Sequence, residues 1–178
     1  MNQNNFREFF LFKNTFGKEN TKILFWGAIV FCIPIIFSEQ LIAGTIVNLL
    51  LIKSAFDYKT KKVFLLALVP STATFLTGFI FGSLTEQLLL LIPFIWMGNL
   101  VLMFFTRKVF EKKKNRNNVS KKLFFIPVIK TALLFVSTVV LFAFGLVPLA
   151  FLTIFGAIQL FTGEAGAIIF TFLQIRKK

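Results

Sequence analysis

Long apolar runs alternate with short polar breaks along the chain, at 23–37, 41–56, 63–81, 88–105, 123–146 and 148–175. A helix needs about 20 residues to cross ~30 Å of hydrocarbon, so the pattern predicts six membrane-spanning helices. The first two runs are short, and flanking residues or local thinning of the bilayer would complete them. Only Ser38, Glu39 and Gln40 separate them, so one broken helical hairpin is the alternative. Ahead of the first run, Phe6, Phe9, Phe10, Lys13 and Phe16 follow i, i+3, i+4 spacing. That spacing predicts that residues 1–22 form an amphipathic helix lying in the cytoplasmic interface. No small-x-small site follows 23–37, so removal as a signal peptide is not expected.

Composition strengthens this reading, and charge orients it. The chain is 57% apolar and 15% charged, against roughly 25% charged in soluble domains, and its mean hydropathy is +0.82. The net charge of +13 could indicate nucleic acid, but eighteen of the 20 basic residues fall in four segments, 7–22, 59–62, 107–122 and 176–178. The breaks around 38–40, 82–87 and 145–148 carry none. This is the positive-inside pattern, and it predicts an all-α plasma-membrane protein with both termini cytoplasmic. An odd number of spans would break it. Residues 23–178 then form one six-helix membrane domain, with 107–122 as a flexible cytoplasmic loop between helices four and five. The charge of that loop suits orientation and anionic lipid better than nucleic acid.

Composition also narrows the chemistry. There is no His, the single Cys32 lies in an apolar run, and the seven carboxylates are scattered. No catalytic residue, metal site or cofactor is expected.

Function in a membrane helix is signalled by polar groups that are costly to insert. Lys53 stands one turn before Asp57, so snorkelling or an i,i+4 pair accounts for it. Lys130 is placed about 10 Å into the bilayer from the inner side, and Glu164 enters the last helix at a similar depth. The two are expected to pair, directly or through water. A phrase recurs: Gln40-Leu41-Ile42-Ala43-Gly44-Thr45 and Gln159-Leu160-Phe161-Thr162-Gly163-Glu164 both read Q-L-x-small-G-polar. In each, Gln and Gly share one helix face, and Asn48 extends the first. Ser71, Thr74 and Gly78 stack on the third span, where Gly78 and Gly82 make a small-residue packing motif. Asn99 follows Pro93 and Gly98 in the fourth, and Ser137 lies two turns beyond Lys130. Convergence of these groups predicts a small hydrogen-bonding pocket rather than an ion channel.

The phrases 40–48 (QLIAGTIVN), 93–99 (PFIWMGN) and 159–163 (QLFTG), with Lys130 in the fifth span, resemble the substrate-binding S components of energy-coupling factor (ECF) transporters, a class of ABC importer. The resemblance runs from about residue 23 onward, and it implies a six-helix bundle that captures a vitamin-like micronutrient from outside. Such a subunit delivers its cargo through a transmembrane coupling subunit and two cytoplasmic ATPases, and is not itself an enzyme. Taken with the polar faces above, the expected substrate contacts are Gln40, Gly44, Asn48, Thr74, Asn99, Lys130, Gln159, Gly163 and Glu164. First-helix small residues of the family meet the coupling subunit as Ala-x-x-x-Ala. The equivalent here is Ala28-x-x-x-Cys32, preceded by Gly27. Glu164 stands where the similar branch carries a small or apolar residue. A membrane scaffold of cell-envelope assembly and a stand-alone secondary transporter are the alternatives.

Overall fold

Backbone N–H and C=O groups in hydrocarbon must be satisfied within the chain, so a sequence this apolar has few options besides helix. The computed structural model describes the backbone of residues 3–111 and 116–176 and the side chains of 19–111 and 122–174. Helix α1 is Gln3–Ile36 and α2 is Gln40–Asp57. A 3₁₀ segment, Lys61–Ala67, leads into α3, Val69–Thr77, and a short 3₁₀ turn, Gly82–Leu84, into α4, Thr85–Glu111. Helix α5 is Arg116–Ala143. The short α6, Ala150–Thr153, passes through a π-helical segment, Ile154–Ile158, into α7, Gln159–Arg176.

Five stretches are long and apolar enough to cross a membrane: Glu19–Ile36, Gln40–Asp57, Gly82–Glu111, Lys122–Ala143 and Ala150–Gln174. Large apolar side chains such as Leu24, Phe25, Phe125 and Phe161 point outward, which suits a multi-pass membrane protein.

The third apolar run differs from expectation. It is not one long helix but the 3₁₀ segment followed by the nine-residue α3. Thr60 opens the first piece by accepting a hydrogen bond from the Lys62 N–H, and Pro70 sits in the first turn of the second. Gly78 then ends α3 in the left-handed region, at φ 65°, where only glycine is unstrained. Gly78 and Gly82 are therefore turn residues, with φ 65° and 52°, and the packing motif read from their spacing does not form on a helix.

Two other boundaries move. Helix α1 runs unbroken through Lys22, so the backbone of the expected interfacial segment is continuous with the first span. The amphipathic face expected at Phe6–Phe16 falls among side chains outside the described set. Helices α4 and α5 extend into the expected 107–122 loop, to Glu111 and from Arg116, and residues 112–115 lie outside the described backbone.

Helix α2 packs mainly on α7, α4 on α5, and α1 on the 3₁₀ segment and α3. Two apolar clusters result. One gathers Leu51, Val63, Leu102, Leu123 and Phe170 toward the basic end of the bundle. The other gathers Leu88, Leu91, Leu134, Phe151 and Phe155 toward the opposite end. Each holds an aromatic triad: Phe56, Phe110 and Phe170 with centroids 4.7–5.9 Å apart, and Phe81, Phe151 and Phe155 at 5.5–6.1 Å. On α4, Asn99 falls between Ile95 of one cluster and Leu102 of the other; on α5, Lys130 falls between Ile126 and Leu134. Along α4 and α5 a polar layer thus separates the clusters.

Candidate functional site

The polar layer begins at Asn48. Its Oδ1 accepts a hydrogen bond from Lys130 Nζ at 2.6 Å, and its Nδ2 donates to Thr162 Oγ1 at 3.3 Å. One amide thereby joins α2, α5 and α7. Asn48, Lys130 and Thr162 are 1%, 2% and 1% exposed, so the network is dry on the lipid side. Small residues make the approach possible. A Cβ on Gly44 would lie 3.1 Å from Thr162 Cγ2, and one on Gly166 would lie 2.9 Å from the Leu49 backbone nitrogen. On α4, a Cβ on Gly98 would lie 3.3 Å from Lys130 Cγ, so this glycine leaves room for the lysine stem. Asn99 turns the other way and donates to the Ala67 carbonyl at 2.9 Å, holding the end of the 3₁₀ segment.

Above this floor lies a cavity of about 80 Å³. One water needs some 10–15 Å³ by the same measure, so the space admits several waters or a compact molecule. Helix α2 contributes Gln40, Ala43, Gly44, Val47 and Asn48, one face at i, i+3, i+4, i+7 and i+8. Ser71 and Thr74 of α3, Asn99 of α4, Lys130 of α5 and Gln159 of α7 complete the polar lining. Ile80, Phe81, Leu88, Ile95 and Phe155 form apolar wall, and Pro34 closes the side toward α1. Pro34, Gln40, Ile80 and Phe81 sit beside the connections at the end away from the basic segments, so the cavity lies toward that end.

Seven of the nine residues expected at a substrate site therefore share one cavity: Gln40, Gly44, Asn48, Thr74, Asn99, Lys130 and Gln159. Gly163 and Glu164 do not line it. Gly163 faces α5, where a Cβ would lie 2.8 Å from Pro127 Cβ. Glu164 is not bonded to Lys130. The lysine's partner is Asn48, and Glu164 Oε2 is buried without a hydrogen-bond partner. Depth fixed the height of Glu164 on its helix but not its direction. Two residues beyond Thr162, which faces α2, Glu164 points about 200° around α7 from it. Ser137 also stays out, bonding the Leu133 carbonyl of its own helix.

The other basic residues behave as anchors. Lys53 pairs with Asp57, as its spacing predicts, and lies 5.7 Å from the Trp26 ring. Arg107 Nη2 donates to the Tyr58 and Thr60 carbonyls at 2.7 and 3.1 Å, and its guanidinium stands 4.5 Å from the Phe64 ring. It clamps the connection between α2 and the 3₁₀ segment. On α1, Ala28 and Cys32 point outward while Gly27 turns inward to within reach of Leu66.

Sequence pattern did not single out Phe81, Phe155 and Ile95 as pocket wall, because apolar wall and lipid-facing residues have the same composition. The π-helical segment carried no signal either. There the Gln159 N–H reaches back five residues to the Ile154 carbonyl. Such bulges re-aim side chains, and both Phe155 and Gln159 enter the cavity around it. A search of family profiles, curated protein sequences and solved structures finds no match to this chain.

Proposed function

We infer that this chain is the substrate-capture subunit of an ECF-type importer in the plasma membrane. The observation that supports it best is the cavity itself, where five helices bring Gln40, Asn48, Thr74, Asn99, Lys130 and Gln159 to one small polar-floored space. A scaffold protein has no use for such a space. The resemblance of the phrases 40–48, 93–99 and 159–163 to S components supplies the transport context.

In this reading both termini are cytoplasmic and the cavity faces outward, away from the basic segments. The 3₁₀ segment and α3 together make the sixth crossing. Seven residues at ~2.0 Å and nine at ~1.5 Å give about 27 Å, close to the hydrocarbon thickness. The outward stripe of Leu24, Ala28 and Cys32 on α1 is the face offered to a coupling subunit, with two ATPases beneath it. Bound cargo is vitamin-like and compact, since the cavity is well below the ~300–1,000 Å³ of drug-sized sites.

Co-expression with a coupling subunit and its ATPase pair tests the reading. Affinity purification should recover the four-part complex, and uptake into vesicles should stop when ATP hydrolysis is blocked. Uptake by the chain alone in liposomes would instead identify a secondary transporter. Failure both to join such a module and to bind any small molecule would leave the scaffold reading.

A further inference from the structure

Lys130 is chemically out of balance with its surroundings. Its side chain is 2% exposed, and it donates to a neutral amide oxygen. An ammonium carries three N–H donors and a full charge. Among the described residues the one ion pair is Lys53–Asp57, so no carboxylate neutralises Lys130. A buried charge without a counter-charge is destabilising, and an apolar residue of similar volume would remove that penalty. Joining helices does not require the charge either, because Asn48 already links α2 to α7 through Thr162. The lysine instead lines the cavity floor.

The rest of the wall limits what could neutralise it. Among the described residues Lys130 is the single cation lining the cavity, and the other polar residues of the wall are neutral. A dianion such as sulfate would leave surplus charge buried, whereas a monoanion balances the site. The Ser71 hydroxyl, on a side chain 5% exposed, and Gln159 Oε1 are buried without partners in the same wall. Above them Phe81, Leu88, Ile95 and Phe155 present apolar and aromatic surface. Glu39 and Glu86, at that end of the bundle, are not part of the wall.

We propose that the cavity binds a compact organic monocarboxylate head-first, the carboxylate accepting from Lys130 Nζ and an apolar or aromatic body lying against Phe81 and Phe155. This rests on the cavity being a capture site, but it concerns binding and needs no coupling subunit.

The test uses the full chain in zwitterionic nanodiscs. Benzoate, phenylacetate and indole-3-acetate are each compared with their primary amides by calorimetry and thermal unfolding, with inorganic sulfate alongside. At least one acid should bind about tenfold or more tightly than its amide, as a charge-assisted hydrogen bond implies, and sulfate should not bind. Lys130→Met should abolish the preference, and Lys130→Arg should keep part of it. Equal binding of acid and amide, binding of none of the acids, or a preference that survives in Lys130→Met would falsify the proposal. If Lys130→Met does not fold, the acid–amide comparison on the unaltered chain decides by itself. Acid-selective binding by a chain that never joins a coupling subunit would sink the importer reading alone. ATPase-driven uptake of an uncharged cargo would do the reverse.

Discussion

Asn48 is the residue on which the polar layer turns, since its two amide atoms serve two other helices. Replacing it by Leu strands the Lys130 ammonium and leaves the Thr162 hydroxyl only its bond to the Gln159 carbonyl. We expect Asn48→Leu to destabilise the fold by about 1–3 kcal/mol or more, the cost of unpaired buried groups where one is charged. The double change Asn48→Leu with Lys130→Met should recover part of that loss. Thermal unfolding in detergent reads both, and a double mutant no more stable than the single would count against the network. At this scale much of the site was legible. Gln40, Gly44 and Asn48 share a face by helical periodicity, and Lys130 is conspicuous in an apolar run. The expected Lys130–Glu164 pair was not, because helical rise gives depth while direction depends on which neighbour the helix packs against. Gly163 fails for the same reason: its place in the repeated phrase matches Gly44, but it faces Pro127 on α5.

Between elements, glycine sets how near the helices stand. Helix α7 approaches α2 at Gly166 so closely that any side chain meets backbone, the Leu49 nitrogen at 2.9 Å from a Cβ. Gly166→Leu should therefore lower stability by roughly 1–3 kcal/mol through overpacking. A loss no larger than that of an outward substitution such as Ile168→Ala, measured in parallel by thermal unfolding, would refute this contact. The long helices were readable from hydropathy alone, because five of the six apolar runs coincide with single helices or with the α6–π–α7 continuation. The 63–81 run was not, since apolar residues fill 3₁₀ and α-helical turns alike. Thr60 before it and Pro70 within it were the available signs of a break. The junction at Lys22 was misplaced for a related reason: a change from amphipathic to apolar pattern does not interrupt backbone hydrogen bonding.

For the whole molecule, the one-sided basic charge makes a topological prediction. With Cys32→Ser as background, Ser83→Cys should react with an impermeant maleimide on intact cells, and Lys59→Cys only after permeabilisation. Labelling of both from the same side would mean that the stretch 61–77 does not cross, and would overturn the even count of spans. The arrangement of the two apolar clusters has a consequence for how such a protein changes over time. Phe81, Leu88 and Phe155, which line the cavity, belong to or pack on the cluster at the open end. Leu51, Leu102 and Phe170 of the other cluster hold the helices together away from the cavity, which that cluster meets through Ala43 and Val47. Drift in the first set reshapes the cavity wall while leaving Leu51, Leu102 and Phe170 untouched. One scaffold can thus change the shape of its cavity by local substitution, without refounding its fold.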